Sequence, residues 1–127
     1  MDKLEYIPGD LAFHYIPKTI IKKYVKVYVC STQNALSLED MDGNLYDYIG
    51  ELYPIPLTPY ILEKNGWKKP DDFDSYWLNK IGLLQEGDTW HSALGSTKIA
   101  ITLGNIMYVH QLQHLLFGLG LNSEMEV

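Results

Sequence analysis

The sequence has one cysteine, Cys30, so no disulfide can close within the chain and its shape must rest on a core. A lone cysteine also suits a reducing compartment. Long hydrophobic runs are missing too. The longest apolar-rich stretch, residues 99–109, is broken by Thr102, Gly104 and Asn105 and is too short to span a bilayer. Met1-Asp2-Lys3-Leu4-Glu5 lacks the basic segment and apolar run of an export signal. These absences point to a soluble cytoplasmic protein with no membrane partner. Positive charge is short as well, the formal net charge being −6. An acidic bulk field repels a phosphate backbone, which argues against DNA or RNA as a partner and leaves room for a small nucleotide in a local basic pocket. Neither a glycine-rich phosphate cradle nor a nucleophile elbow occurs. Asp71, Asp72 and Asp74 lack the glycine and closing glutamate of a calcium loop and read as a solvated loop. Cys30 has no cationic or histidine neighbour in sequence and reads as a small buried apolar residue. An enzyme, a metal site and a bound cofactor are therefore the classes with least support.

What is present is a globular composition. The 127 residues, 46% of them hydrophobic, are enough for one domain, 1–127. No repeat or low-complexity segment divides it. Pro8-Gly9-Asp10 is a turn signal, and Leu11-Ala12-Phe13-His14-Tyr15 reads as a first strand ended by Pro17. Residues 24–30 alternate strictly: Val25, Val27 and Val29 face a core, while Tyr24, Lys26, Tyr28 and Cys30 face the other way. Residues 31–34 are a polar loop. Short extended pieces follow at 35–38, 45–49 and 52–55, with a tight turn at Asp42-Gly43-Asn44. The pattern predicts a small antiparallel sheet or barrel over 1–56.

Pro54, Pro56 and Pro59 then form a hinge. Thr58 is placed to cap a helix that has Pro59 in its first position and Gly66 just past its end. Further extended pieces are expected at 76–78 and 81–84. Residues 85–96 read as a polar, glycine-bearing segment. Residues 98–103 alternate, which predicts a strand with Ile99, Ile101 and Leu103 inward, turning at Gly104-Asn105 and returning through 106–109. A closing helix follows, with Val109, Leu112, Leu115, Leu116 and Leu119 on one stripe. The polar tail 122–127 is expected to fray. The fold class is α+β: the antiparallel sheet, a hinge with a short helix, a β-hairpin and a C-terminal helix, the last three making a helix-hairpin-helix part over 57–127.

Three constellations merit weighing as sites. His110 and His114 share a helix face and are able to reach one metal. A hydrolytic zinc helix needs an acid beside its first histidine; Gln111 stands there, and no acid lies between Thr89 and Ser123. His110, Gln111 and Gln113 are better read as polar partners for loose backbone groups, since glutamine both donates and accepts. The second constellation is Trp67, Lys68, Lys69, Tyr76, Trp77, Trp90 and His91. Aromatic faces stack on bases and cations answer phosphates, provided the hairpin folds back over the short helix; the competing reading is that the tryptophans pack a core or an interface. The third is Tyr24, Lys26 and Tyr28, which line one strand face and suit stacking, the outside of a barrel or a subunit contact.

Three segments carry a family resemblance: Pro54-Ile55-Pro56-Leu57-Thr58, Ile61-Leu62-Glu63-Lys64-Asn65-Gly66-Trp67 and Tyr108-Val109-His110-Gln111-Leu112-Gln113. Together they resemble a family of short phage and prophage proteins of Bacteroides-like bacteria. The resemblance covers the chain from about Gly50 onward and its first part by layout only. It implies an SH3-like sheet at the start and a closing Val-His-Gln-Leu-Gln helix, and it brings no chemistry with the motif. His114 departs from the asparagine more usual in the family, and Gly118 and Gly120 loosen the helix end. The phage setting implies, by analogy, an anti-defence protein of the host cytoplasm: a homo-oligomeric sponge that sequesters a small cyclic nucleotide immune signal without altering it. The alternatives are a protein-interaction module that inhibits a host factor and a structural phage component.

Overall fold

A computed structural model describes residues 6–30, 36–48, 50–96 and 99–127. The reading of loop 31–34 lies outside these residues, as do the positions of Ala35, Ile49 and Lys98 and the side chains of Val29 and Cys30. The chain is α+β, with mostly antiparallel strands and two short helices.

Alternation decides the first sheet. Strands β1 (Leu11–Tyr15), β2 (Lys22–Cys30), β3 (Leu36–Asp40), β4 (Leu45–Tyr48) and β5 (Tyr53–Pro54) lie in the order β4-β3-β2-β1-β5. Val25 and Val27 are fully buried, while Tyr24 and Tyr28 are exposed on the opposite face. The valines meet Leu38 in a small inner core, with Tyr46, Tyr48 and Leu52 packed around it. At the β3–β4 turn Gly43 takes a φ of +86°, which costs glycine little. Asp40 accepts there from the amides of Asp42 and Asn44, and these bonds, Asn44 first, hold its carboxyl below the usual range.

Helix α1 (Pro59–Lys64) starts where Thr58 accepts from the Ile61 amide. It ends at Gly66, whose φ of +88° lets the Trp67 amide reach the Leu62 carbonyl. The proline segment before it is stitched to the far end of the chain. The Leu57 amide donates to the Met107 carbonyl, and the Val109 amide donates to Ile55. This pairing anchors helix α2 (Val109–Gly118), whose first turn Gln111 closes by accepting from the Met107 and Tyr108 amides.

The second half differs from the expected hairpin. It is a four-stranded meander of β6 (Ser75–Leu78), β7 (Ile81–Glu86), β8 (Thr89–Gly95) and β9 (Ala100–Ile106). Residues 85–96, read as a polar segment, supply the end of β7, a two-residue turn at Gly87-Asp88 and the whole of β8. The reason is that Trp90 and Ser92 both face inward and are buried, so the strand needs few apolar residues. Gly104-Asn105 is no turn. The β8–β9 register slips between Ser92 and Ala93, and β9 runs through as one strand. Ile99, Ile101 and Leu103, expected inward, are exposed because the cover above the sheet stops short of this end.

One core joins both halves. Leu11 and Phe13 of β1 meet Ile55, Leu57, Leu62, Trp67, Leu83, Trp90, Val109 and Leu112. The tail does not fray. Leu121, Met125 and Val127 pack on this core, and the Asn65 side chain pairs with both the amide and the carbonyl of Glu126.

Candidate functional site

The sheet register creates an aromatic surface on the face of the first sheet that turns away from its small inner core, at the margin where Leu11 and Phe13 enter the core shared with the second half. Antiparallel pairing sets Tyr15 opposite Lys22, Phe13 opposite Tyr24 and Leu11 opposite Lys26, so all six share one face. From the other side, Tyr53 of β5 pairs with Phe13. Phe13 is buried and forms the floor. Tyr53 stacks on it at 5.4 Å between ring centroids, and Tyr15 and Tyr24 meet it edge-on at 5.6 and 6.2 Å. The three tyrosines remain 36–39% exposed, so each keeps part of a ring in solvent. Lys22 Nζ lies 4.7 Å above the Phe13 ring. Lys26 borders a groove of about 310 Å³, which it shares with Leu11, Asp40, Lys64 and Met125. Tyr28, exposed, stands at the β2 bulge. The Tyr53 hydroxyl donates to Glu51, and that bond raises its pKa from the usual value. Lys22 and Lys26 put positive charge on this face, with Glu39 directly opposite Lys26 on β3. Such a surface offers a planar ring something to stack on and an anion something to meet.

The inner face of the same sheet holds a polar aromatic group. His14 is buried and stacks on Tyr48 at 4.4 Å. Its Nδ1 donates to the Tyr15 carbonyl, and its Nε2 lies 2.8 Å from the Tyr46 hydroxyl. Lys23 Nζ sits 4.5 Å over Tyr46.

The tryptophan constellation does not converge. Trp67 and Trp90 are core residues with no ring face left for a ligand. The Trp90 indole donates to the Leu57 carbonyl at 3.0 Å. Tyr76, half-buried, packs edge-on to Trp90, with its hydroxyl 3.5 Å from Glu63. Trp77, also half-buried, lies over Gly82, where a Cβ would come within 2.6 Å of the indole. Lys68 and Lys69 are exposed, and the Lys68 backbone bridges to Trp77. His91 is held between Asn105 Oδ1 at 2.7 Å and Glu86 Oε2 at 2.9 Å.

Both His91 partners are acceptors, so the geometry suits the doubly protonated ring, and the bonds to Asn105 and then Glu86 raise its pKa above 6.5. The stabilisation this brings is present below the unfolded pKa of about 6.5 and is lost as pH rises through the higher folded value. Melting temperature is thus expected to fall from pH 6 toward pH 8 in the wild type, and less steeply in His91→Gln. Parallel profiles for the two proteins would refute the assignment.

The polar residues of α2 act on backbone. Gln113, buried, accepts from the Leu11 amide at 2.9 Å and donates to the carbonyls of Gly9 and Ser123. His114 Nε2 donates to Asp10 Oδ2 at 2.7 Å, and the same oxygen accepts from the Ile7 amide. The acid that the histidine pair lacks nearby in sequence is thus supplied from 104 residues away. His110 is buried against the Tyr6 ring at 4.7 Å, and burial lowers its pKa from the usual value. Among the described residues, no three histidine, cysteine, aspartate or glutamate side chains are grouped to hold a metal ion. No described helix is long and apolar enough to cross a membrane.

Sequence reasoning missed Phe13, Tyr15, Lys22 and Tyr53, and also Asp10. Phe13 and Tyr15 share a face by the two-residue period of a strand, but the cross-strand register that sets them beside Tyr24 appears only in the folded sheet. No family model, curated protein or solved structure matches the chain.

Proposed function

We propose that this protein is a non-enzymatic binder of a small nucleotide and holds it on the outer face of the first sheet. The observation that carries this reading is the trio Tyr15, Tyr24 and Tyr53 around the Phe13 floor, with Lys22 and Lys26 on the same face. A base stacks on a tyrosine; the lysine ammoniums answer its phosphates. Of the residues singled out in sequence, Tyr24 and Lys26 belong to this surface and Tyr28 lies at its end. Lys68, Lys69, Tyr76, Trp77 and His91 sit on the second half of the chain and are not needed for it. The reading asks no chemistry of Asp10 and His114, whose bond is accounted for by tying the start of β1 to α2. In the phage setting that the closing motif suggests, the ligand is a cyclic nucleotide immune signal, captured in the host cytoplasm by a homo-oligomer. We also read the first sheet as SH3-like, because its fifth strand returns beside the first around a small inner core.

The test is a panel of cyclic and linear nucleotides, scored by thermal shift and by the nucleotide recovered after denaturation. One or more is expected to raise the melting temperature and to be recovered unchanged. Stacking is worth about 1–3 kcal/mol per base, so Tyr24→Ala and Tyr53→Ala should each weaken binding roughly tenfold or more. No shift with any member of the panel would refute the reading, and recovery of an altered nucleotide would make the protein an enzyme.

One observation favours a protein partner instead. Ile16, Ile20 and Ile21 in the β1–β2 connection are exposed beside Tyr15, Ile20 almost completely. A host protein that co-purifies with the wild type, and is lost from Ile20→Ser, would decide for that reading.

A further inference from the structure

We propose that the outer edge of β9 is a subunit seam, where a second copy of this chain pairs antiparallel about a two-fold axis near Ile101. Two four-stranded sheets thereby become one of eight strands. The proposal deepens the homo-oligomer part of the reading above, on which it rests, and is independent of the ligand part.

Natural sheets blunt their edges, since unpaired backbone groups on an apolar edge invite another chain. The edges of this protein are unequal. β5 is two residues long and ends in Pro54, which has no amide hydrogen to offer. β6 is occupied on its outer side by Lys68, through the backbone bridge to Trp77. β4 carries a charge, Asp47. β9 is seven residues long and has no charge and no proline. Among the described residues, only β8 pairs with it.

Side chains point to the same place. Ile81, Leu94 and Ile101 form one cross-strand row on the core face of the sheet. Ile81 is 1% exposed, Leu94 is half-buried and Ile101 is 70% exposed, so the row runs out from under its cover at β9. Ile99, 81% exposed, and Leu103 extend the bare stretch.

A second copy fits this edge because the edge complements itself. An axis near Ile101 sets Ile101 against its own equivalent, Ala100 against Thr102, and Ile99 against Leu103. Isoleucine and leucine meet each other, Ala100 lies beside Thr102, and residues 99–103 bring no charge into a seam between two molecules that each carry −6. A two-fold contact of this kind closes at the dimer and leaves no edge to extend. A single strand pair buries well under the roughly 800 Å² per partner of a standard interface, so the dissociation constant is expected to be on the order of micromolar.

Sedimentation equilibrium across a concentration series of the full chain tests this. The wild type should approach twice 14.6 kDa, and Ile101→Lys, which puts two ammoniums together on the axis, should fall twofold to the monomer mass. A wild type that stays monomeric to several hundred micromolar overturns the proposal, as does a dimer that persists unchanged in Ile101→Lys. Ile101→Cys, treated with oxidised glutathione, covers the case in which the lysine variant does not fold. A covalent dimer beyond that formed by the wild type through Cys30 supports the seam, and its absence overturns it. Nucleotide retention by the wild type is scored separately, so failure of the seam and failure of the ligand reading remain distinct results.

Discussion

Replacing Trp90 by alanine is expected to cost about 3–5 kcal/mol, among the largest losses available to a single substitution in this chain. Trp90 is fully buried and lies where the two halves meet. It pairs across strands with Gln85 on one side and Ile106 on the other. Its indole donates to Leu57, in the proline segment that links the halves. Alanine therefore opens a cavity and also strips the Leu57 carbonyl of a donor, leaving a buried acceptor unpaired. Trp90→Phe separates the two effects: it keeps much of the ring volume and loses the bond. Urea unfolding measures both variants. The shared core also predicts one transition, with far-ultraviolet dichroism and tryptophan fluorescence coincident. Two separated transitions would mean that the halves are stable independently, against a single core.

Gln113→Leu is the second substitution with a large expected effect. The side chain makes three hydrogen bonds to backbone: from the Leu11 amide, and to the carbonyls of Gly9 and Ser123. Leucine is close in size and apolar, so the loss is electrostatic rather than one of volume. Leu11 is buried, and its amide would be left without a partner at the start of β1. Each buried polar group left unsatisfied costs about 1–3 kcal/mol, and a total of about 3 kcal/mol or more is expected. Hydrogen exchange supplies the residue-specific check: the Leu11 amide should lose protection in the variant. Protection there at the wild-type level, with a stability change under about 1 kcal/mol, would show that water replaces the glutamine.

These two residues illustrate what can and cannot be read from a sequence. Helix α1 was legible because its determinants are local: Thr58 accepts from a neighbour three residues on, Pro59 presets φ, and Gly66 ends the turn. β2 was legible because Val25 and Val27 alternate with Tyr24 and Lys26 without a break. β8 was not, because Trp90 and Ser92 are its buried positions and their polar neighbours hide the period. β9 shows a different limit. Alternation identified Ile99, Ile101 and Leu103 as one set, and nothing local says whether the rest of the chain reaches over them. The aromatic surface was half legible: Tyr24 and Lys26 follow from strand period, whereas Phe13, Tyr15 and Tyr53 join them through pairing with two other strands. Gln113 was recognisable as a residue fit to satisfy backbone, but its partners, Gly9 and Leu11, are about a hundred residues away.

The central claim is that a planar, anionic ligand lies on the outer face of the first sheet. The most direct measurement is a chemical-shift map of isotopically labelled protein, titrated with the nucleotide that gives the largest thermal shift. The account predicts perturbations gathered at Tyr15, Lys22, Tyr24, Lys26 and Tyr53, with Trp67 and Trp90 unmoved. Perturbations gathered instead at Lys68, Trp77 and His91, or none with any nucleotide of the panel, would contradict it.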